Sequence, residues 1–335
     1  MRSFLRHENC TRLLPRRRPR RRTLVTVCIA AIADNEEAIV SCVDTRVTMG
    51  TTSLDPLVGR KMTGSHGWTV LGSGTFSQIE LFLDAFYDAM NASKDHDPPA
   101  VQRCLEVALL SELPKFSAAK YLTPYGLDMP GFLASRSQFT DERWNELSRL
   151  MLEYSEQYDV EVIVSGWGPT QESSGKRGGT CIFSASRDGV SRYSDVGFHA
   201  CGSGGITAHS ILASFEQEPR MTIAHTVYHV AAAKFLSERA DGVGYGTVMR
   251  VAQRVGEAGE RWKGYFIQPD ELDDLRRLCL TYTAPTIPPE AEDKIVAMLA
   301  KRGKLHVTQD HMARRVQDSI AQTKQSGDQK PKVEK

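Results

Sequence analysis

Apolar positions start to dominate the chain at residue 26. Residues 26–33 read TVCIAAIA and residues 38–43 read AIVSCV, separated by Asp34-Asn35-Glu36-Glu37. Two short apolar runs around a polar connection predict a β-hairpin. Residues 61–62 and 68–71 predict a second hairpin, turning over Gly64-Ser65-His66-Gly67 and running into Gly72-Ser73-Gly74. The period then changes. Ile79, Phe82, Leu83, Phe86 and Met90 recur at three- and four-residue intervals and predict an amphipathic helix. Residues 95–99 break it, and Pro99 suits the first turn of another helix through Val101, Leu105, Ala108, Leu109 and Leu113.

Residues 122–132 contain Pro124, Gly126, Pro130 and Gly131 and predict turns or short helix. Thr140 is placed to cap a further helix reaching about residue 154. Strands are predicted at 160–165, 180–184 and 198–201, with a polar, glycine-rich loop over 170–179. Gly202-Ser203-Gly204-Gly205 leads into a helix carrying Ala208, Ile211, Leu212 and Phe215. A longer helix follows over 222–239, ended by Gly242 and Gly244, and residues 247–251 and 265–267 predict the last strands. Strands, helices, strands, helices and strands in this order do not make a βαβ alternation. They predict an α+β chain, a four-layer αββα sandwich of two antiparallel sheets with helices on both outer faces.

Composition adds boundaries. Of 335 residues, 41% are hydrophobic and 25% charged, and the net charge is +1, as in an ordinary globular chain. The charge is unevenly spread: residues 1–22 hold nine arginines and one acid, Glu8. Such a block repels itself and has little to pack, so residues 1–23 are expected to be a disordered leader. The expected domain spans 24–285 with a helical insertion at about 118–140, and 286–335 is expected to be a helical, polar, partly disordered tail. No apolar run reaches 18 residues, so no membrane helix and no membrane partner is expected. The seven cysteines form no CxxC pair and sit mostly in apolar runs, which points to buried thiols in a reducing cytoplasm.

The segments together resemble N-terminal nucleophile (Ntn) hydrolases, specifically proteasome β subunits and bacterial proteasome-like peptidases. The resemblance is carried by Thr26-Val27-Cys28-Ile29-Ala30, by the run from Val43-Asp44 to Gly50, by Gly59-Arg60-Lys61-Met62 and by Leu71-Gly72-Ser73-Gly74. Ala200-Cys201-Gly202-Ser203-Gly204-Gly205 and Ala240-Asp241-Gly242-Val243-Gly244 extend it, and residues 121–139 resemble an insertion of a bacterial branch. It implies a threonine-type amidohydrolase or peptidase without cofactor, forming homo-oligomers and acting on peptides or other amides. Thr26 is then the nucleophile, Lys61 the ammonium beside it and Asp44 the carboxylate holding Lys61. Ser203 and Asp241 flank the amine, and the Gly72 N–H serves the oxyanion.

The chemistry is sound for these residue types. A threonine hydroxyl needs a base, and the α-amine of an N-terminal threonine, with a pKa of about 7.7–8.0, can be that base. A neighbouring lysine cation lowers it further. Three features depart from the pattern. Twenty-five residues precede Thr26, Val25 stands where glycine is usual, and Gly244 stands where serine is common. Initiation at Val25 with methionine removal would account for the first two. The alternative is a non-catalytic structural or scaffold subunit of the same fold. Cys28 is a competing nucleophile. His225 and His229, four apart on one helix, are a metal pair without HExxH or cysteine support, so no metal is expected, and no dinucleotide or P-loop motif appears. The arginine block alone does not make a nucleic-acid partner.

Overall fold

The computed structural model describes residues 26–49, 52–54, 61–168, 179–240, 243–255, 261–281 and 287–301. The chain opens with β1 (Cys28–Ala33) and β2 (Ala38–Asp44), followed by β3 (Val47–Met49), β4 (Thr52–Leu54), β5 (Met62–Ser65) and β6 (Trp68–Gly74). The helices α1 (Phe76–Ala92), α2 (Pro98–Tyr121), α3 (Met129–Ala134) and α4 (Asp141–Ser155) come next. Then follow β7 (Val160–Trp167), β8 (Thr180–Ser186), β9 (Gly189–Arg192) and β10 (Phe198–Cys201). The last elements are α5 (Gly205–Ser214), α6 (Ile223–Ser237), β11 (Thr247–Val255), β12 (Arg261–Phe266), α7 (Pro269–Thr281) and α8 (Pro289–Lys301).

Two five-stranded antiparallel sheets form, in the orders β10-β1-β2-β11-β12 and β5-β6-β7-β8-β9, beside a separate β3–β4 pair. Side-chain alternation sorts β1 into two sets. Ile29, Ala31 and Ala33 join the core under α5, α6, α7 and α8. Cys28, Ala30 and Ile32 meet Leu71, Ile163 and Ile182 of the other sheet. The opposite face of that second sheet, through Val70, Val162 and Phe183, packs on α1 and α2. The layers are therefore helix, sheet, sheet, helix, the expected α+β sandwich.

Local chemistry explains the connections. The β1–β2 turn has positive φ at Asp34, Asn35 and Glu36, two of them residue types that tolerate the left-handed region. The β5–β6 hairpin turns through His66 and Gly67, at φ 51 and 85. Thr140 and Thr222 cap α4 and α6 with side-chain oxygens on the N–H groups of Arg143 and His225. Helix α2 runs on through Pro114 to Tyr121, beyond the Leu113 expected from periodicity. The insertion packs through Leu122 and Phe132 against Ala118 of α2 and Leu147 and Met151 of α4. The expected leader, and residues 302–335 of the expected tail, lie outside the described residues. Residues 287–301 pack into the main core through Ile287, Ala291, Ile295, Met298 and Leu299.

Candidate functional site

Antiparallel pairing brings one end of several strands to a single edge. Thr26 leads into β1, Asp44 closes β2, and Ser203 follows β10. Thr247, which opens β11, lies opposite Asp44. Lys61 precedes β5 in the opposite sheet and reaches across the interlayer.

The contacts are short. Lys61 Nζ donates to Thr26 Oγ1 at 2.8 Å and pairs with Asp44 Oδ1 at 3.1 Å. Thr26, Asp44 and Lys61 are 4%, 0% and 8% exposed, so the pair operates in a medium far less polarisable than water. Asp44 Oδ1 also accepts from the Val27 N–H at 3.1 Å, and Oδ2 from the Gly244 N–H at 3.1 Å. Burial pushes the Asp44 carboxyl up from its ordinary value; the Lys61 ammonium and the two N–H donors oppose that rise. The glycine turn after β10 wraps Thr26. The Thr26 N–H donates to Ser203 Oγ at 3.1 Å, and Thr26 O accepts from the Gly204 N–H at 3.1 Å and from Ser203 Oγ at 3.3 Å. Gly202 takes φ +86, and a Cβ there would meet Ser73 Oγ at 2.6 Å. Glu161 of β7 secures the turn by accepting from the Gly202 N–H at 2.8 Å.

Four of the six expected site residues thus converge: Thr26, Asp44, Lys61 and Ser203. Gly72 requires a correction. Its N–H donates to Lys61 O at 3.0 Å, so it continues the β5–β6 ladder and is not turned toward Thr26 as an oxyanion donor. Glycine is needed there for packing, because a Cβ would lie 2.8 Å from Ile79 Cγ2 of α1. Asp241 lies outside the described residues. The departure at Gly244 has a steric reason: a Cβ would sit 2.5 Å from Arg46 Cβ and 3.1 Å from Asp44 Oδ2.

Sequence reasoning missed Lys234. This α6 lysine is 0% exposed and donates to Gly244 O at 2.9 Å, so it holds the peptide whose neighbouring N–H orders Asp44. Burial pulls its ammonium down from the ordinary value, and its ion pair with Glu238 opposes this. Arg276 of α7 binds the same Glu238 and donates to Tyr245 O at 2.7 Å. The alanine-rich sequence of α6 carried the only available signal: a lysine on an otherwise buried helix needs a buried partner.

Cys28 is fully buried and faces Cys201 across the β1–β10 pair; the hydrogen bond to Cys28, with burial, holds the Cys201 thiol well above its ordinary range. His225 Nδ1 pairs with Thr222 Oγ1 and His229 Nδ1 with Gln217 Oε1. Among the described residues, no group of three or more His, Cys, Asp or Glu side chains is placed to hold a metal ion. No described helix is long and apolar enough to cross a membrane.

No family model matches the chain. No curated protein matches it either. Among solved structures, Anbu from Hyphomicrobium sp. strain MC1 aligns over 75% of this chain and 92% of its own, at 12% identity and a TM-score of 0.47. The resemblance to proteasome β subunits and bacterial proteasome-like peptidases is corrected accordingly. With no matching family model and so distant a structural likeness, the chain is not assigned to that family, and the αββα architecture rests on its own sheets and layers.

Proposed function

We propose that the chain is a threonine-type amide hydrolase whose nucleophile is Thr26 Oγ1, competent once Thr26 is the N-terminal residue. The observation that carries this reading is the Lys61 ammonium, 2.8 Å from the Thr26 hydroxyl and tethered by a fully buried carboxylate. A cation at that distance favours the alkoxide over the hydroxyl and disfavours protonation of an adjacent amine. The Thr26 nitrogen, already hydrogen-bonded to Ser203 Oγ, becomes that amine when the preceding peptide bond is absent.

In this mechanism the Oγ1–H proton passes to the α-amine as Oγ1 attacks the amide carbon. The tetrahedral adduct expels the amine product, which takes the proton, and leaves a threonyl ester. Water, deprotonated by the same α-amine, then hydrolyses the ester and releases the acid. The buried free thiols at Cys28, Cys42, Cys104, Cys181, Cys201 and Cys279 support a reducing compartment for this chemistry.

A second reading, a non-catalytic scaffold, is favoured by one observation: the Gly72 N–H is taken up by Lys61 O. One experiment separates the two. A protein processed to begin at Thr26 is treated with a peptide epoxyketone, whose ring-closed adduct needs a hydroxyl and an amine on one residue. Mass spectrometry is expected to find the adduct on residue 26, and Thr26→Ala to abolish it. Equal labelling of both proteins, or labelling of neither, removes the catalytic reading.

A further inference from the structure

Among the described residues, Arg250 is a cation without an acid. It lies on β11 between Met249 and Val251, both in the core beneath the helices, so alternation turns its side chain toward the opposite sheet. It crosses the interlayer to donate to Thr69 Oγ1 on β6. Among the described residues that hydroxyl is its hydrogen-bond partner, and no carboxylate pairs with it. Burial pulls the guanidinium down from its ordinary value.

Space for the group is provided on purpose-shaped backbone. Gly264 of β12 lies beneath the guanidinium, and a Cβ there would come within 2.5 Å of Arg250 Nε and 2.7 Å of Cζ. Arg250 lines a cavity of about 380 Å³ together with the β5–β6 hairpin and Phe266. Residues 62–68 of that hairpin line it, and among the described residues the lining includes no Asp or Glu. Arg250 pairs with Ser41 in register, three residues along β11 from the Thr247–Asp44 pair, roughly 10 Å from that end of the sheet.

We infer that this cavity binds a small organic anion, a carboxylate or a phosphate, gripped by the planar fork of Arg250 beside Phe266. A guanidinium has five N–H donors, and a bidentate anion takes two of the four that Thr69 leaves. The anion also supplies a countercharge that no described carboxylate gives this partly buried cation. The site is separate from Thr26 and does not depend on its chemistry.

The test uses the full chain and two probes, inorganic phosphate and benzoate, titrated at constant ionic strength against sodium chloride and followed by calorimetry and thermal melting. Saturable binding of at least one probe is expected, accompanied by a rise in melting temperature. Arg250→Met, which keeps an apolar stem, is expected to weaken it by at least about tenfold. Arg250→Lys, which keeps the charge and loses the fork, is expected to fall between the two. Gly264→Ala leaves Arg250 in place but displaces the guanidinium, and is expected to weaken binding as well. Tight phosphate with weak benzoate identifies a phosphate site, and the reverse a carboxylate site. Binding that persists unchanged in Arg250→Met, or a wild-type chain that binds neither probe, overturns the inference. Should Arg250→Met fail to fold, equal affinity in wild type, Arg250→Lys and Gly264→Ala overturns it too.

Discussion

Replacing Lys61 with methionine isolates the buried ion pair. Methionine keeps most of the apolar stem and deletes the ammonium, leaving Asp44 at 0% exposure with, among the described residues, the Val27 and Gly244 N–H groups for its charge. Breaking a buried pair by removing one partner costs about 3–5 kcal/mol. That is a large part of the roughly 5–15 kcal/mol that holds a domain folded. The cost is linked to protons. Burial already raises the Asp44 carboxyl, and loss of Lys61 removes a main opposing influence, so the folded variant holds a proton that the unfolded chain releases near pH 3.9. Stability of the variant therefore falls as pH rises from about 3.9 to the new folded value and is flat above it. The gap to wild type should be widest at pH 7 and narrower at pH 5. In Lys61→Met/Asp44→Asn no lone charge remains, and the double variant should cost about 2 kcal/mol less than the sum of the singles. Urea unfolding of all four proteins at the two pH values measures each quantity. A Lys61→Met variant within about 0.5 kcal/mol of wild type at pH 7, or strict additivity, refutes the reasoning.

Gly202→Ala places a methyl 2.6 Å from Ser73 Oγ in a residue at φ +86, and should destabilise by about 2–4 kcal/mol. Gly126→Ala, at φ +69 with open space around it, should cost only about 1 kcal/mol; equal losses in urea would show that the crowding beside Thr26 is immaterial. His199 stacks on Tyr193 and is pushed down to about 4 by burial, with His209 adding to the effect. The unfolded chain binds this proton near pH 6.5, so the stability His199 permits is complete above that pH and is lost as pH falls toward 4. His199→Phe should lose about 2 kcal/mol less than wild type between pH 7 and pH 4.5. Parallel loss in both proteins would contradict the assignment.

The legible parts of this chain were those with strong local periodicity. The β1–β2 and β5–β6 hairpins, α1 and α6 follow directly from their apolar spacing. Strand β9, Gly189–Arg192, escaped because it is a partly exposed edge strand reading GVSR, with one apolar side chain to alternate. Helix α8 falls within the stretch expected to be a helical, polar tail, but its packing into the main core through Ile295, Met298 and Leu299 was not foreseen. In the site, Thr26, Asp44, Lys61 and Ser203 were within reach because their order and spacing form a pattern. Gly72 was misread for a physical reason: a glycine turn is visible in sequence, but which carbonyl takes its N–H is decided by the neighbouring strand. Lys234 and Arg250 look like surface cations until the opposing layer is known.

The tether at Lys234 gives the outer helices a grip on the innermost charge. Arg276 on α7 fastens Glu238, Glu238 fastens Lys234, and Lys234 holds the carbonyl of Gly244, the residue whose own N–H steadies the Asp44 carboxylate. Helix α7 is therefore joined to Asp44 by an unbroken series of bonded polar groups, running alongside the apolar packing of the same helices. The acid of the site is suspended from the helical roof as well as rooted in its own strand.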